Sequence, residues 1–371
     1  MQNNLFSPLQ LRSVTLPNRV VISPMCQYSA VNGNATDWHI LHLGQYAVSG
    51  AGLFILEATA VEPAGRITPQ CLGLWNDENE AALKRVLDIV RPFASMPLGI
   101  QLGHAGRKAS VRRPGLGRGS LSPEEGAWQT VGPGALPYGP DWPVPQRLDE
   151  TGMQRVIQAF VQAAQRAERL GLDLIEIHAA HGYLLSSFLS PLANDRADQY
   201  GGSIQNRMRF PLEVFDAVRA VWPDHKPLGV RFNGQDWNDA GLVLEDGIAF
   251  ARELKQRGCD YVDISSGGNA PSRIPLRPGY QVPLATGIKQ AVGIPTMCVG
   301  LIRDPHHAAA IIAGNDADMV GIGRGMLNDP RWVWHAAEAL QVPLEVPHQY
   351  LRGATSEGVP SQDMVMVSVP A

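Results

Sequence analysis

The sequence predicts an α/β protein, and within that class a single closed (β/α)8 barrel, or TIM barrel. Eight short apolar segments recur along the 371 residues, and amphipathic stretches lie between them. Strict alternation of strands and helices favours parallel strands with right-handed crossovers. Polar and glycine-rich residues follow the strands, at the face where such barrels carry their chemistry. An open, doubly wound sheet is the alternative architecture.

The individual elements follow from apolar runs and periodicity. The predicted strands are Val20–Pro24, Leu53–Glu57, Leu98–Leu102, Leu172–His178, Leu228–Phe232, Tyr261–Ser265, Thr296–Val299 and Met319–Ile322. The predicted helices are Glu78–Phe93, Gly152–Leu170, Ser203–Val221, Glu245–Arg257, Pro283–Ala291, Pro305–Ala313 and Pro330–Leu340. The last three begin with a proline, which suits a first helical turn.

Three segments fall outside this alternation. Residues 1–17 are expected to form a short cap under the barrel. Ala105–Arg147 is rich in Gly, Pro and Arg and too long for an ordinary connection, so we expect a lid or substrate loop after the third strand. Ala354–Ala371 lacks helical periodicity. The domain boundaries are therefore placed at 1–352 for the barrel and 353–371 for a flexible C-terminal tail.

Composition and charge exclude several classes of protein. The net charge of -4 and the lack of a long basic run argue against nucleic acid or an anionic membrane as a partner. The sequence has no signal peptide and no long apolar span, so a cytoplasmic protein is expected. The four cysteines are scattered, which fits a reducing compartment and free thiols. They are Cys26, Cys71, Cys259 and Cys298.

The segment Ile175–Tyr183 is the most informative stretch of the chain. An apolar strand ends there in two histidines and a tyrosine, and at a strand-to-loop turn the spacing of His178 and His181 can bring both imidazoles to one side. Two imidazoles can hold an oxygen that gains negative charge, and the Tyr183 phenol can donate a proton. The pattern suggests reduction of a polarised double bond. Metal ligation and buried polar packing are the alternatives.

Glycines at the ends of the last two strands predict a phosphate site. Gly300 follows the seventh strand, and Gly323 and Arg324 follow the eighth. Backbone N–H groups at this position in a barrel commonly bind phosphate. An ordinary glycine-rich loop is the alternative.

Several motifs in order along the chain resemble the old yellow enzymes, the family of FMN-dependent ene-reductases and NADPH dehydrogenases, and in particular the bacterial branch with a cysteine near the flavin. The resemblance covers about Leu5 to about Arg352. It rests on Ser23-Pro-Met-Cys26-Gln-Tyr28-Ser, Glu57-Ala-Thr-Ala-Val, Gly65-Arg-Ile-Thr, Gln101-Leu-Gly-His-Ala-Gly-Arg-Lys108, His178-Ala-Ala-His-Gly-Tyr183, Tyr200-Gly-Gly-Ser203, Asn206-Arg207 and Gly323-Arg324.

This resemblance implies noncovalent FMN over the top of the barrel, with NADPH as hydride donor and NADH as a weaker one. Arg231 would lie against the flavin, where its charge stabilises the reduced ring. Gln101 would pair with the pyrimidine edge, and Ala58 would leave room for the ring. The flavin would be lined by Ser23, Pro24, Met25 and Cys26, and its phosphate bound by Gly300, Gly323 and Arg324. No metal site is implied.

The resemblance also implies a substrate and a mechanism. The expected acceptor is a small activated alkene that shares one pocket with the nicotinamide. His178 and His181 would bind its oxygen, Tyr183 would protonate the α-carbon, and Tyr28 would close the pocket. A homo-oligomer, dimer or tetramer, is also implied, with Arg352 reaching a neighbouring site.

One segment departs from the family pattern, and four other functions remain as alternatives. Phe232–Trp237 carries a bulky aromatic and a glycine where small hydroxyl-bearing residues are expected. Dienoyl reductases need clustered cysteines for an iron–sulfur centre, and dihydrouridine synthases need a basic face for RNA. A metal-dependent hydrolase needs further ligands at other strand ends. A noncatalytic flavin sensor is the fourth.

Overall fold

The computed structural model describes residues 4–117 and 119–354, and a closed barrel of eight strands lies at its centre. Each strand is parallel to its neighbours, and the strands follow one another around the barrel in chain order. They are β1 (Val20–Ile22), β2 (Leu53–Ala60), β3 (Leu98–Gly103), β4 (Leu174–Ala179), β5 (Leu228–Asn233), β6 (Tyr261–Ser265), β7 (Thr296–Cys298) and β8 (Met319–Ile322). The predicted barrel and all eight predicted strands are confirmed.

The helices pack around the outside of the barrel. They are α1 (Asp37–Ala47), α2 (Asp77–Val90), α3 (Glu150–Arg169), α4 (Leu184–Leu189), α5 (Ile204–Arg207), α6 (Arg209–Val221), α7 (Leu244–Gln256), α8 (Val282–Val292), α9 (Pro305–Ala313), α10 (Arg324–Asn328), α11 (Trp332–Ala339) and α12 (Leu351–Ala354). Each crossover follows the strand, helix, strand order that parallel pairing requires.

Two helix predictions needed correction, and one helix of eleven residues was not predicted. The predicted helix Ser203–Val221 is two helices, α5 and α6, with Met208 between them. The predicted start at Pro330 is wrong, because α11 begins at Trp332 and the proline lies outside it. Helix α1 was not predicted at all. Its signal is local, since the Thr36 side chain and the His39 side chain cap each other's backbone N–H groups.

An N-terminal hairpin closes the bottom of the barrel. Strands Leu9–Leu11 and Val14–Leu16 pair antiparallel. The side chains of Leu11 and Leu16 are buried in one cluster with residues from the barrel strands. The cap predicted for residues 1–17 is confirmed over residues 4–17, and residues 1–3 lie outside the described part.

Aspartates at the lower ends of three strands help to hold the strand register. Each is the residue directly before the first residue of its strand. Its carboxylate accepts the backbone N–H of the first residue of an adjacent strand. Asp173 binds Leu98 N–H at 2.8 Å, Asp260 binds Leu228 N–H at 2.8 Å, and Asp318 binds Thr296 N–H at 2.9 Å. Hydrogen bonds to a charged acceptor are stronger than neutral ones, so each pair fixes one strand against the next.

The segment after β3 folds over the upper mouth of the barrel. It contains short 3-10 turns at Gly106–Lys108 and Pro123–Glu125 and a two-stranded pair, Val131–Gly132 with Gln146–Arg147. The Arg107 guanidinium donates to the backbone oxygens of residues 136 and 137, 3.1 Å from each. The predicted long loop is therefore tied to the mouth of the barrel.

The chain beyond the barrel is described as far as residue 354. The turn α12 carries past the predicted boundary at residue 352, and residues 355–371 of the predicted tail lie outside the described part. Within the described residues, no helix is both long enough and apolar enough to cross a membrane.

Candidate active site

The His–Tyr motif lies at the upper end of β4, where it forms one cluster of rings. The ring centres of His178 and His181 are 5.1 Å apart, and those of His178 and Tyr183 are also 5.1 Å apart. The His181 and Tyr183 rings are 6.4 Å apart. The predicted convergence of both imidazoles with the phenol is thus present in the structure.

A strained turn aims these side chains. His181 has a φ of 62° and Gly182 a φ of 74°, both in the left-handed region. A Cβ on Gly182 would lie 1.9 Å from the carbonyl oxygen of Gly268, so only glycine fits there. The Asn233 side chain accepts the His181 backbone N–H at 3.1 Å, which holds the turn against β5.

Burial sets the protonation states of the cluster. It lowers the pKa of both histidines well below the usual value, and the positive charges of Arg231 and Lys108 act in the same direction. Burial also raises the pKa of the Tyr183 phenol well above its usual value. At neutral pH the site therefore presents two neutral imidazoles and a protonated phenol.

Hydrogen bonds distinguish the two imidazoles. His178 Nδ1 accepts the Ala180 N–H at 3.3 Å, so in the neutral ring Nε2 carries the proton and is a donor. His181 Nε2 lies 2.7 Å from Ser265 Oγ. For His181 to donate from Nδ1, the Ser265 hydroxyl must donate its hydrogen bond to Nε2 and not to Gln281 Oε1, which lies 3.2 Å away. Gln281 Oε1 would still accept from Ser266 Oγ, 2.6 Å away.

Lys108 supports the cluster from the long loop, a role that the sequence did not predict. Its ammonium donates to the His181 carbonyl oxygen at 2.7 Å and to that of Gly268 at 3.1 Å. It also lies 4.5 Å from the Tyr138 ring centre and 5.3 Å from that of Tyr183. Burial lowers the pKa of Lys108 to about 8. Lys108, in the loop after β3, therefore contacts both the turn at His181 and the Tyr183 ring.

A charged row lies across the barrel interior beneath the His–Tyr cluster. In register, His178 of β4 is opposite Arg231 of β5, and Arg231 is opposite Asp263 of β6. Arg231 Nε is 3.0 Å from Asp263 Oδ2. Burial raises the pKa of Asp263 to about 6, although the Arg231 charge opposes that shift. Arg231 is thus an interior cation, as predicted, and not part of a surface ion pair.

A second buried carboxyl lies lower in the barrel. Glu176 accepts from Gln101 Nε2 at 2.7 Å and from the Tyr261 hydroxyl at 3.3 Å. Burial raises its pKa to about 8, and the nearby Asp263 charge adds to the shift. The Gln101 side chain therefore donates one amide hydrogen to Glu176, and its carbonyl oxygen takes no part in that hydrogen bond.

A cavity of about 260 Å³ opens beside this row, between the ends of β1, β5, β7 and β8. Eight of the predicted site residues line it: Ser23, Pro24, Met25, His181, Arg231, Gly300, Gly323 and Arg324. One polar atom from these residues, Ser23 Oγ, is buried without a hydrogen-bond partner among the described residues. A Cβ on Gly321 would lie 2.8 Å from Ser23 Oγ. The cavity, its positive charges and the unpartnered Ser23 hydroxyl fit the FMN that the sequence resemblance implies.

Three of the other predicted residues line a second, small cavity, whereas Gln101, Cys26 and Tyr28 line neither cavity. Ala58, His178 and Tyr183 line that cavity together with Cys71 and Arg66. Cys26 and Tyr28 lie near enough to Tyr183 for their charges to affect the pKa of its phenol. The structure thus brings the predicted residues to one end of the barrel.

The unusual segment Phe232–Trp237 begins in the last two residues of β5, and its first side chain points away from the cavity. The Phe232 ring packs edge-on against Phe250 of α7, with ring centres 5.2 Å apart, so it faces the outer helices. Trp237 donates to Ser266 Oγ at 2.8 Å. Asn233 supports the His181 turn. The aromatic and polar residues of this segment serve packing and positioning.

Sequence reasoning missed three functional side chains: Lys108, Glu176 and Asp263. Lys108 ends one of the motifs, and both carboxyls occupy predicted strands. A carboxyl inside an apolar strand was the available signal, since such groups are almost never fully buried unless paired. Among the described residues, no group of three or more His, Cys, Asp or Glu side chains is arranged to hold a metal ion.

Comparison with known proteins agrees with this site. Residues 4–342 match the model of the NADH:flavin oxidoreductase / NADH oxidase family. The NADPH dehydrogenase of Geobacillus thermodenitrificans (strain NG80-2) is 42% identical over 355 residues, which cover 95% of this chain and 99% of that protein. The NADPH dehydrogenase of Listeria innocua serovar 6a (strain ATCC BAA-680 / CLIP 11262) is 43% identical over 352 residues, covering 94% and 99%.

A solved structure shares the architecture over nearly its whole length. Morphinone reductase superposes with a TM-score of 0.78 at 29% identity, covering 99% of this chain and 97% of that one. The same enzyme has been solved in complex with tetrahydroNAD, and that structure superposes with a TM-score of 0.75 at 28% identity. The chain therefore belongs to the NADH:flavin oxidoreductase / NADH oxidase family, the old yellow enzymes, and is an FMN-dependent oxidoreductase that uses a nicotinamide.

Proposed function

We propose that this oxidoreductase is an NADPH-dependent ene-reductase, acting on an α,β-unsaturated ketone, aldehyde, imide or nitroalkene. The observation that carries the proposal is the cluster of His178, His181 and Tyr183 beside a cavity that fits FMN. Such a substrate gains negative charge on an oxygen and needs one proton on carbon, which two imidazoles and a phenol can provide. NADPH is proposed as the donor because the similar bacterial proteins are NADPH dehydrogenases.

The flavin would be held by the residues around the larger cavity. Bound FMN supplies the hydride chemistry, from NADPH to the β-carbon of the alkene. Arg231 places a permanent charge where negative charge develops on the reduced ring. The Gln101 amide would bind the pyrimidine edge, and Ala58 would leave space for the ring. Contacts to the ring come from Ser23, Pro24, Met25 and Cys26, and contacts to the phosphate from Gly300, Gly323 and Arg324.

The substrate would be bound and protonated by the ring cluster. His178 donates from Nε2 to the carbonyl or nitro oxygen, and His181 donates from Nδ1 when the Ser265 hydroxyl donates a hydrogen bond to its Nε2. Withdrawal of electrons toward that oxygen makes the β-carbon electrophilic. Tyr183 then gives its phenolic proton to the α-carbon, and the Lys108 ammonium near that ring stabilises the phenolate. Tyr28 closes the pocket.

Three further properties belong to the same proposal. The enzyme works on small molecules in the cytoplasm. It forms a homo-oligomer, dimer or tetramer, and Arg352 reaches the site of a neighbouring subunit. Sedimentation of the wild type and of Arg352→Ala tests the last point, because a contribution across subunits predicts lower activity in the variant at unchanged oligomeric state.

The absorbance spectrum of the purified chain tests the proposal. We expect a yellow protein that bleaches on anaerobic addition of NADPH and regains its colour when cyclohexenone is added. A protein that bleaches but is not reoxidised by any enone, imide or nitroalkene would contradict the ene-reductase proposal and leave the family assignment intact. Activity that follows added zinc instead would favour the metal-dependent alternative.

A further inference from the structure

A buried carboxylate lies in the connection between β5 and α7. Asp236 is only 1% exposed, and both of its carboxylate oxygens accept hydrogen bonds. Oδ1 accepts from Asn269 Nδ2 at 2.8 Å and from Asn233 Nδ2 at 3.3 Å. Oδ2 accepts from the Ser190 hydroxyl at 2.6 Å and from the Leu242 N–H at 3.0 Å. Four donors thus satisfy an aspartate that is buried to a degree seldom found for this residue type.

The Oδ1 side of this carboxylate leads to the first residue of the strained turn after β4. Asn233 is the last residue of β5, and its Nδ2 group donates to Asp236 and to the Gly267 carbonyl oxygen, 2.7 Å away. Because Nδ2 carries both amide hydrogens, the side-chain oxygen of Asn233 points the opposite way. There it accepts the His181 N–H at 3.1 Å. Asp236 thereby fixes the direction in which the Asn233 amide lies.

The same carboxylate oxygen leads to the second residue of the turn. Asn269 Nδ2, which donates to Asp236, also lies 3.1 Å from the Ser186 hydroxyl. The oxygen of that hydroxyl accepts the Gly182 N–H at 3.1 Å. A residue other than glycine keeps a positive φ, as His181 does at 62°, only where its surroundings hold it there. Asp236 therefore supports both residues of the turn.

The Oδ2 side of the carboxylate leads away from the turn. Its two donors belong to the outer layer of the barrel, since Ser190 directly follows α4 and Leu242 lies shortly before α7. The loss of a donor on this side is therefore the matched comparison for the loss of one on the side of the turn.

We propose that Asp236 is a positioning residue, which orients the His181 imidazole for its hydrogen bond to the acceptor oxygen. The inference rests on the function proposed above, in which His181 donates to that oxygen. Asp236 lines neither of the two cavities, so it acts through Asn233 and Asn269 and not by contact with a ligand. The effect can be large, because a displacement of about 1 Å at a reacting group can cost about 10²-fold in rate.

Titration of the FMN-saturated chain with 4-chlorophenol tests the inference without turnover. The charge-transfer band reports binding of the phenol oxygen, which takes the place of the acceptor oxygen. In Asp236→Asn the Leu242 N–H cannot turn away, so the new amide keeps its oxygen on that side and presents its NH2 group to Asn233 and Asn269, whose own amides must turn. We expect the dissociation constant of the phenol to rise roughly tenfold, the contribution of one hydrogen bond to a charged group. The FMN content should stay at the wild-type level.

Double-mutant cycles with the two histidines separate positioning from a general loss of structure. In the His181→Ala background, Asp236→Asn should change the dissociation constant by less than about twofold, because the donor that Asp236 positions is gone. In the His178→Ala background the full effect of Asp236→Asn should remain. Equal effects of Asp236→Asn in the two backgrounds would overturn the inference.

Two further variants serve if Asp236→Asn does not fold. Asn233→Ala retains the carboxylate and removes the acceptor of the His181 N–H, so it should weaken phenol binding and lose this effect in the His181→Ala background. Ser190→Ala removes the 2.6 Å hydrogen bond on the opposite side of the carboxylate and should leave the affinity within about twofold of the wild type. Phenol binding that is weakened as much by Ser190→Ala as by Asn233→Ala would contradict the assignment.

Enone turnover in the same preparations tests the proposed function separately. A wild type that binds 4-chlorophenol, with the expected cycles, but reduces no enone would contradict the ene-reductase proposal and leave the positioning role intact. Normal reduction of enones without coupling between Asp236 and His181 would contradict the positioning role alone.

Discussion

The Arg231 guanidinium lies 3.0 Å from the Asp263 carboxylate inside the barrel. Of the two residues, only Arg231 lines the cavity that fits FMN. Asp263 is fully buried behind it. The charge felt at the cavity therefore depends on both residues, with Asp263 partly offsetting Arg231.

Replacement of Arg231 by methionine should lower the flavin reduction potential by several tens of millivolts. A unit charge at about 4 Å contributes roughly 4 kcal/mol at an effective dielectric constant of 20, and about 30 mV corresponds to 1.4 kcal/mol for two electrons. Methionine keeps an apolar stem, and Arg231→Lys should recover part of the loss. Potentiometry on FMN-saturated protein measures the effect, and Asp263→Asn should shift the potential upward. An unchanged potential in Arg231→Met would limit the arginine to supporting β5.

Tyr183→Phe should separate the two halves of the reaction. Reduction of the flavin by NADPH needs no proton from Tyr183 and should be nearly unchanged. Reoxidation by a simple enone should slow by roughly two to four powers of ten, the usual contribution of a general acid. Stopped-flow absorbance follows each half separately. Equal slowing of both would remove Tyr183 from the proton-donor role, and a strongly activated nitroalkene is the control because it depends least on the acid.

His178→Ala and His181→Ala should each weaken phenol binding and slow enone turnover while FMN stays bound. Loss of one oxyanion donor typically costs a factor of roughly 10² to 10³. Titration with a phenol, read from its long-wavelength charge-transfer band, measures the binding. Since burial keeps the pKa of both histidines low, the wild-type affinity should not titrate near pH 6.5. Unchanged affinity in either variant would exclude that histidine as a donor.

Glu176→Gln should flatten the dependence of stability on pH. Burial raises the folded-state pKa of Glu176 to about 8, above its ordinary value. The native state therefore keeps a proton that the unfolded state loses, and the free energy of unfolding falls as pH rises toward 8. The slope can reach about 1.4 kcal/mol per pH unit. Asp263 contributes in the same direction up to a pKa of about 6.

Denaturant melts between pH 6 and 8 isolate the Glu176 effect, because the Asp263 contribution ends near the lower limit. The glutamine keeps the shape and one acceptor oxygen, which can replace the acceptor of either Gln101 or Tyr261. A variant that loses stability with the same slope as the wild type over this interval would show that Glu176 is already ionised in the native protein.

The fold and the ring cluster could be predicted because both depend on short-range patterns. Apolar runs mark the strands, and the spacing of His178 and His181 at a strand end is enough to bring their rings together. Helix α1 was not predicted because its start depends on the Thr36 and His39 capping contacts more than on a strong apolar face.

Partners from distant segments could not be predicted. The alternation of side chains along a strand indicates which face of the sheet Asp263 lies on. Its pairing with Arg231 depends in addition on the register between β5 and β6. Lys108 meets the His181 turn because the loop after β3 folds back over the barrel mouth.

The loop after β3 also bears on how this scaffold could be diversified. It brings Tyr138 over Lys108, while the imidazoles, the phenol and Arg231 are carried by β4, β5 and the turn that follows β4. The loop after β3 can therefore be exchanged without replacing the strands that carry the imidazoles, the phenol and Arg231. We expect chimaeras that exchange residues 109–138, and with them Tyr138, for those of a related enzyme to inherit the donor's range of acceptors and the enantiomer it produces, at little cost to flavin loading.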